Sequence, residues 1–203
     1  MDYTSCIAGL GNPGKEYRDT RHNLGFAALD ALLEECGRAG QVERLSGGRF
    51  TCELWRCRIP GNNVWHLVAK PMTYMNLSGE ALRPLLHWHR MSARQLLVAH
   101  DELDFRPGVV RFKFGGGAAG HKGLISIIQQ LGTRDFYRLR IGIGKVAGHD
   151  TVQRVLTRPS PDERPLLEKA IRTALEGIML FAGQGPDAAM HVMHNLPSSP
   201  PQR

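Results

Sequence analysis

The sequence predicts an α/β protein, a single-domain sandwich in which a central twisted, mixed and mostly parallel sheet is flanked by helices. Three observations predict it. Short apolar runs of strand length alternate with longer runs of helical period along the whole chain. Polar residues of chemical interest sit just beyond the strand-like runs, where α/β folds place their sites. The 203 residues, 42% hydrophobic and 22% charged, suffice for one ordinary core and show neither an internal repeat nor a domain linker. Residues 1–196 are expected to form that domain, and the Pro/Ser-rich stretch 197–203 a flexible tail.

Taken in order, residues 5–11 read as a buried strand and 23–36 as an amphipathic helix carrying Phe26, Leu29, Leu32 and Leu33. Thr20 and Asn23 are both able to cap that helix. Residues 50–59 and 63–69 are strand-like and are separated by the turn formers Pro60, Gly61, Asn62 and Asn63. Pro71 ends the second run, after which Asn76 or Ser78 starts a helix carrying Leu82, Leu85 and Leu86. Gln95 to Ala99 form a short strand that ends at His100 and Asp101, and a strand with a basic face follows Pro107 and Gly108. The glycine-rich turn 115–120 leads into a helix over 122–131, then a strand over 137–143. Helical segments near 150–156 and over 162–182 close the pattern, with His191 and His194 near a helical C-terminus.

Composition excludes several functions. No apolar run approaches the ~18 residues of a membrane span, and the N-terminus lacks the basic flank and apolar core of a signal peptide. A soluble, cytoplasmic protein is therefore expected. The four cysteines lack zinc-ligand and C-x-x-C spacing and read as reduced thiols. In a strand over 50–59, Cys52 and Cys57 point to opposite faces.

Net charge is +7, with a pI near 9.6, which favours an anionic partner. A period of two puts Arg111 and Lys113 on one face of their strand, opposite Val110, Phe112 and Phe114. Arg138 and Arg140 likewise stand opposite Leu139 and Ile141. These basic faces suit either plain solvation or an anionic ligand.

The segment Gly9-Leu10-Gly11-Asn12-Pro13-Gly14 imitates a dinucleotide fingerprint but does not satisfy one. Pro13 breaks the spacing, a charged stretch follows where a helix should begin, and Asp30 lies inside a helical pattern instead of at a strand end. The run Gly115–Gly120 can cradle phosphate through its amides, or serve as a flexible loop admitting a bulky substrate. It lacks the Gly-Lys-Ser/Thr ending of a P-loop. No G-x-S-x-G elbow or H-E-x-x-H array is present, so neither a serine nucleophile nor a metal is expected.

What remains is a set of polar residues at strand ends: Asn12, His22, Asn76 and Asp101. A histidine can act as general base near neutral pH while a carboxylate fixes its tautomer. Two amides can bind a carbonyl, a backbone amide and an attacking water without adding charge.

These residues lie within five blocks, GLGNPGKEY with TRHNLG, KPMTYMNLSG, HDELDFRPG, KFGGGAAGHKG and RLRIGIG. In order and spacing they resemble the bacterial-type peptidyl-tRNA hydrolases over about Ser5 to His194. The resemblance implies cleavage of the ester between a peptide and tRNA, with no cofactor, by a cytoplasmic monomer that recycles tRNA, without DNA or a membrane as partner. It implies that His22 activates water, that Asp101 orients and polarises His22, and that Asn12 and Asn76 bind the peptidyl backbone. Tyr17 and Met75 are similar to groove-wall residues, and Lys113 and Arg140 to residues that contact tRNA phosphates; Arg111 and Arg138 join them on the basic faces. Lys122 stands at a substrate-binding position where the family usually has asparagine. Its ammonium keeps donors but loses the amide's acceptor, so the asparagine's role is not transferred to it. Ala119 replaces a common glycine. The alternative is an RNA-binding protein of the same fold with weak or absent hydrolysis, and a generic nucleotide-binding domain is a third reading.

Overall fold

The computed structural model describes residues 3–46, 48–145 and 151–195. The proposed tail 197–203 lies outside them. Seven strands form one sheet: β1 (Cys6–Gly9), β2 (Val42–Leu45), β3 (Cys52–Cys57), β4 (His66–Pro71), β5 (Leu96–Glu102), β6 (Val110–Phe114) and β7 (Tyr137–Gly142). Their order is β2-β3-β4-β1-β5-β7-β6. The four central strands β4, β1, β5 and β7 run parallel, while β3 and β2 on one flank and β6 on the other are antiparallel additions. β4 and β5 lie on opposite sides of β1, so a crevice opens beyond the C-terminal ends of β1 and β5.

Helices α1 (Leu24–Arg38), α5 (Arg164–Gln184) and α6 (Pro186–Asn195) cover one face of this sheet, and α2 (Ser78–Trp88) and α3 (Lys122–Leu131) the other. Alternation along each strand feeds two separate cores. Leu29, Leu32, Phe112 and Ile178 pack on the first face, and Leu67, Leu82, Leu85 and Ile127 on the second. Burying each such side chain contributes about 1.5–3 kcal/mol. Cys57 lies in the first core and Cys52 in the second, as the five-residue spacing requires.

Glycine permits one contact that positions the site. A Cβ on Gly25, in the first turn of α1, would lie 2.3 Å from the Ala99 carbonyl oxygen of β5 and 2.4 Å from the Leu10 nitrogen. The start of α1, and the turn before it, therefore sit directly on the ends of β1 and β5.

Two elements lie beyond the sequence reading. β2 is a four-residue edge strand with only Val42 and Leu45 half-buried, too short for alternation to stand out. α6 is separate from α5 because Gly185 adopts φ +91° and Pro186 restarts the helix. The short helix α4 spans Thr151–Leu156; residue 150 lies outside the described residues.

Candidate active site

Each polar candidate is held by an element end. Asn12 follows β1, His22 occupies a 3-10 turn (Arg21–Asn23) before α1, Asn76 a similar turn (Met75–Leu77) before α2, and Asp101 the last part of β5. They meet in a cleft of about 540 Å³. Its lining includes Asn12, His22, Met75, Asn76, Asp101 and Lys122, with apolar walls from Leu103, Val155 and Leu156.

His22 Nδ1 lies 2.8 Å from Asp101 Oδ1. Both residues are buried, at 7% and 2% exposure. A carboxylate accepts, so Nδ1 of His22 carries the proton and Nε2 is left as the base. The same Asp101 oxygen is 3.0 Å from His121 Nε2. His121 caps α3, and its Nδ1 accepts the Leu124 backbone N–H at 3.4 Å. A backbone amide can only donate, so the His121 proton sits on Nε2 and points at Asp101. Burial alone would raise the Asp101 carboxyl, but the two imidazoles beside it outweigh that and hold it well below the usual carboxylate range.

His121 is the site residue that sequence reasoning missed. It stands 20 residues from Asp101 inside a glycine-rich stretch, and the only signal was its place just before a helix start. His22, Asp101 and His121 bring three ligand-type atoms within 4.8 Å of one another. Hydrogen bonds account for that closeness, because each imidazole spends a proton on the carboxylate.

Asn12 divides its amide. Its Oδ1 accepts the Met75 backbone N–H at 2.7 Å, which fixes the side chain and leaves Nδ2 as a donor. Asn23 braces it from behind, with Oδ1 accepting the Asn12 N–H at 2.8 Å and Nδ2 donating to the Asn12 carbonyl at 3.0 Å. Asn76 is exposed in the cleft, and its side chain makes no hydrogen bond among the described residues.

Met75 is 3% exposed and lines the cleft beside Asn12. Tyr17 does not line it. It is half-buried in a turn where its carbonyl accepts the Thr20 N–H and hydroxyl. Lys122 is exposed at the rim, in the first turn of α3. Ala119 adopts φ +47°, a left-handed conformation costing a non-glycine residue about 1 kcal/mol.

The basic strand faces are less uniform than alternation predicts. Arg111 stands opposite Arg140 and Lys113 opposite Arg138 across β6 and β7. Lys113 is exposed. Arg138 is 2% exposed and donates to the carbonyls of Gly117 (2.5 Å) and Gly116 (2.6 Å), anchoring the glycine-rich loop. Burial, with Arg140 and Arg134 nearby, pushes it down to about 10. Alternation predicts Arg138 on a presented basic face; the structure instead buries it beneath the glycine-rich loop. Arg140 donates Nε to Glu102 at 2.9 Å and lies over the Phe105 ring. Arg111 reaches the Val110 carbonyl at 2.8 Å and the Met193 carbonyl at 3.4 Å.

A mixed α/β sheet bearing an imidazole–carboxylate pair in an open cleft, with no serine, threonine or cysteine lining it among the described residues, has the arrangement of a hydrolase that activates water directly. The peptidyl-tRNA hydrolase family model matches residues 6–201. The peptidyl-tRNA hydrolase of Desulfovibrio desulfuricans is 50% identical over 95% of this chain and 84% of its own length. That of Nitratidesulfovibrio vulgaris is 51% identical over 93% and 95%. The crystal structure of the Acinetobacter baumannii peptidyl-tRNA hydrolase superposes with a TM-score of 0.87 at 35% identity, covering 98% of this chain and all of that one. The chain belongs to the peptidyl-tRNA hydrolase family. Among the described residues no helix is long and apolar enough to cross a membrane.

Proposed function

We propose that this protein hydrolyses the ester bond between an N-blocked peptide and tRNA, releasing peptide and free tRNA. The observation that carries the reading is the His22–Asp101 pair facing a cleft that also holds two amide side chains. Family membership supplies the substrate.

His22 Nε2 takes a proton from water as the water oxygen bonds to the ester carbonyl carbon. Asp101 stabilises the imidazolium that forms. The developing oxyanion accepts hydrogen bonds from amide donors, a role that Asn12 Nδ2 or the Asn76 amide suits. Collapse breaks the bond to the ribose oxygen, which takes the proton back from His22. An activated ester needs no cofactor for this sequence of steps. Asn12 and Asn76 also suit the peptide N–H and C=O groups, Met75 supplies an apolar wall, and Lys122 at the rim is close enough to the mouth to meet substrate. Exposed Lys113, with Arg111 and Arg140 on the same strand faces, suits tRNA phosphates, where contacts set affinity without reading sequence. A cytoplasmic monomer fits this reading, because the substrate is made in the cytoplasm and one chain carries every group named.

The test is release of blocked amino acid from N-acetyl-aminoacyl-tRNA, with chelator present and with His22→Ala as control. Rapid cleavage by the native chain, lost in the variant, supports the proposal. Tight tRNA binding without cleavage would replace it with the RNA-binding alternative, which no present observation favours. Equal turnover of unblocked aminoacyl-tRNA would remove the peptide-recognition role given to the amides.

A further inference from the structure

Arg21 stands beside the catalytic histidine, yet its side chain is 4% exposed and turned away from the cleft chemistry. Its Nη1 donates to the Arg154 carbonyl (3.3 Å), the Thr157 carbonyl (3.0 Å) and the Thr157 hydroxyl (2.8 Å). Its Nη2 pairs with Glu163. The other oxygen of Glu163 pairs with Arg154, whose Nη2 also donates to the Ile143 carbonyl at 2.7 Å. Ser160 adds its N–H and hydroxyl to the same carboxylate at 3.0 and 3.1 Å. One carboxylate thus ties together three segments that border the cleft: the turn bearing His22, the exit of β7, and α4, whose Val155 and Leu156 form part of the cleft wall.

We propose that Glu163 is a positioning residue, a latch that acts through Arg21 and Arg154 to hold the α4 wall against the catalytic turn and so sets substrate affinity. The inference rests on the hydrolase reading above. Glu163 touches no cleft surface itself. Its anion is held far below the ordinary range, to about 2: burial opposes this, but Arg154, Ser160 and Arg21 outweigh it. The latch is therefore charged throughout the neutral range. Without the carboxylate, the guanidinium groups of Arg21 and Arg154 keep their carbonyl acceptors but lose the counter-charge they share, and their repulsion loosens α4 from the turn. His22 keeps its bond to Asp101, whose strand the latch does not touch, so the loss falls on binding and spares the chemical step.

The experiment measures kcat and KM for N-acetyl-aminoacyl-tRNA with the native chain, Glu163→Ala and Glu163→Gln, well below each melting temperature. A KM raised about tenfold in Glu163→Ala with kcat largely kept is expected. Partial recovery is expected in Glu163→Gln, which keeps one acceptor in reach. The pH profile of kcat should keep its shape, because His22 and Asp101 are unaltered. An unchanged KM in both variants, whatever their melting temperatures, would overturn the latch and leave a merely structural ion pair. A fall in kcat at constant KM would overturn it too, by placing the effect on chemistry. No cleavage by the native chain would instead overturn the hydrolase reading, and the latch with it.

Discussion

His22 and His121 compete for a single oxygen of Asp101, at 2.8 and 3.0 Å. Their rings lie 5.1 Å apart, and His121 in turn lies 4.9 Å from the ring of buried His100. A carboxylate that serves two donors gives each less than it would give one. His121 thereby ties the start of α3 to the carboxylate that orients His22.

That tie is testable. In His121→Ala the first turn of α3 loses both its cap and its link to Asp101, costing about 1 kcal/mol of stability. The melting temperature should fall and KM should rise several-fold, because the cleft rim carried by α3 is no longer held against the catalytic pair; thermal melts and steady-state kinetics check both. A lower melting temperature with KM unchanged would reduce His121 to its capping role.

His100 makes a second pH effect, this time on stability. It is 1% exposed, its Nδ1 donates to the Asp101 carbonyl at 2.7 Å, and its Nε2 has no partner among the described residues. Burial first, then His121, lower it from 6.5 to about 3; His66, also with a partnerless Nε2, is lowered by burial to about 4. Both histidines are protonated more readily in the unfolded chain. Their neutral forms therefore support the fold above pH 6.5, and that support is lost as pH falls toward the folded values. Stability should drop by about 2 kcal/mol or more between pH 6.5 and 4. Thermal melts over that range should show the fall, and His100→Asn should flatten it. A melting temperature constant across the range would refute the account.

The residues that were legible in the sequence are those whose roles depend on element ends. Asn12, His22, Asn76 and Asp101 follow or precede apolar runs, and the fold brings all four to one cleft. The helix over 122–131 begins and ends as its pattern predicts, between His121 and a left-handed Gly132. Other features depend on what covers a residue, which periodicity does not encode. Alternation places Arg138 correctly off the apolar face, yet the loop 115–120 folds over it and uses its donors. His121 needed a partner 20 residues away, and Glu163 partners 142 and 9 residues away, separations at which no local pattern points.

Asn23 offers a case in which a residue outside the cleft lining governs one inside it. Its side chain supplies both backbone partners of Asn12, which is 7% exposed. Asn23→Ala strands a buried N–H and C=O, costing about 2–3 kcal/mol. It also frees the loop that carries Asn12, so kcat should fall several-fold. Differential scanning calorimetry and steady-state kinetics together check this; loss of stability with kcat intact would show that the cleft tolerates a displaced Asn12.

Salt dependence separates the two kinds of basic residue on β6 and β7. Lys113 is exposed, and its replacement removes a charge available to a phosphate without disturbing a packed group. In Lys113→Ala the slope of log affinity for tRNA against log salt should become shallower by about one, with the melting temperature unchanged. Arg138 holds Gly116 and Gly117 by their carbonyls and is shielded from solvent. Arg138→Ala should release the glycine-rich loop, lowering stability by about 1–3 kcal/mol and raising KM. Its salt slope should match that of the native chain, because a guanidinium buried under a loop releases no counterion. Titrations at four or more salt concentrations decide the matter, since a reduced slope in Arg138→Ala would mean that the loop opens and the buried arginine meets RNA after all.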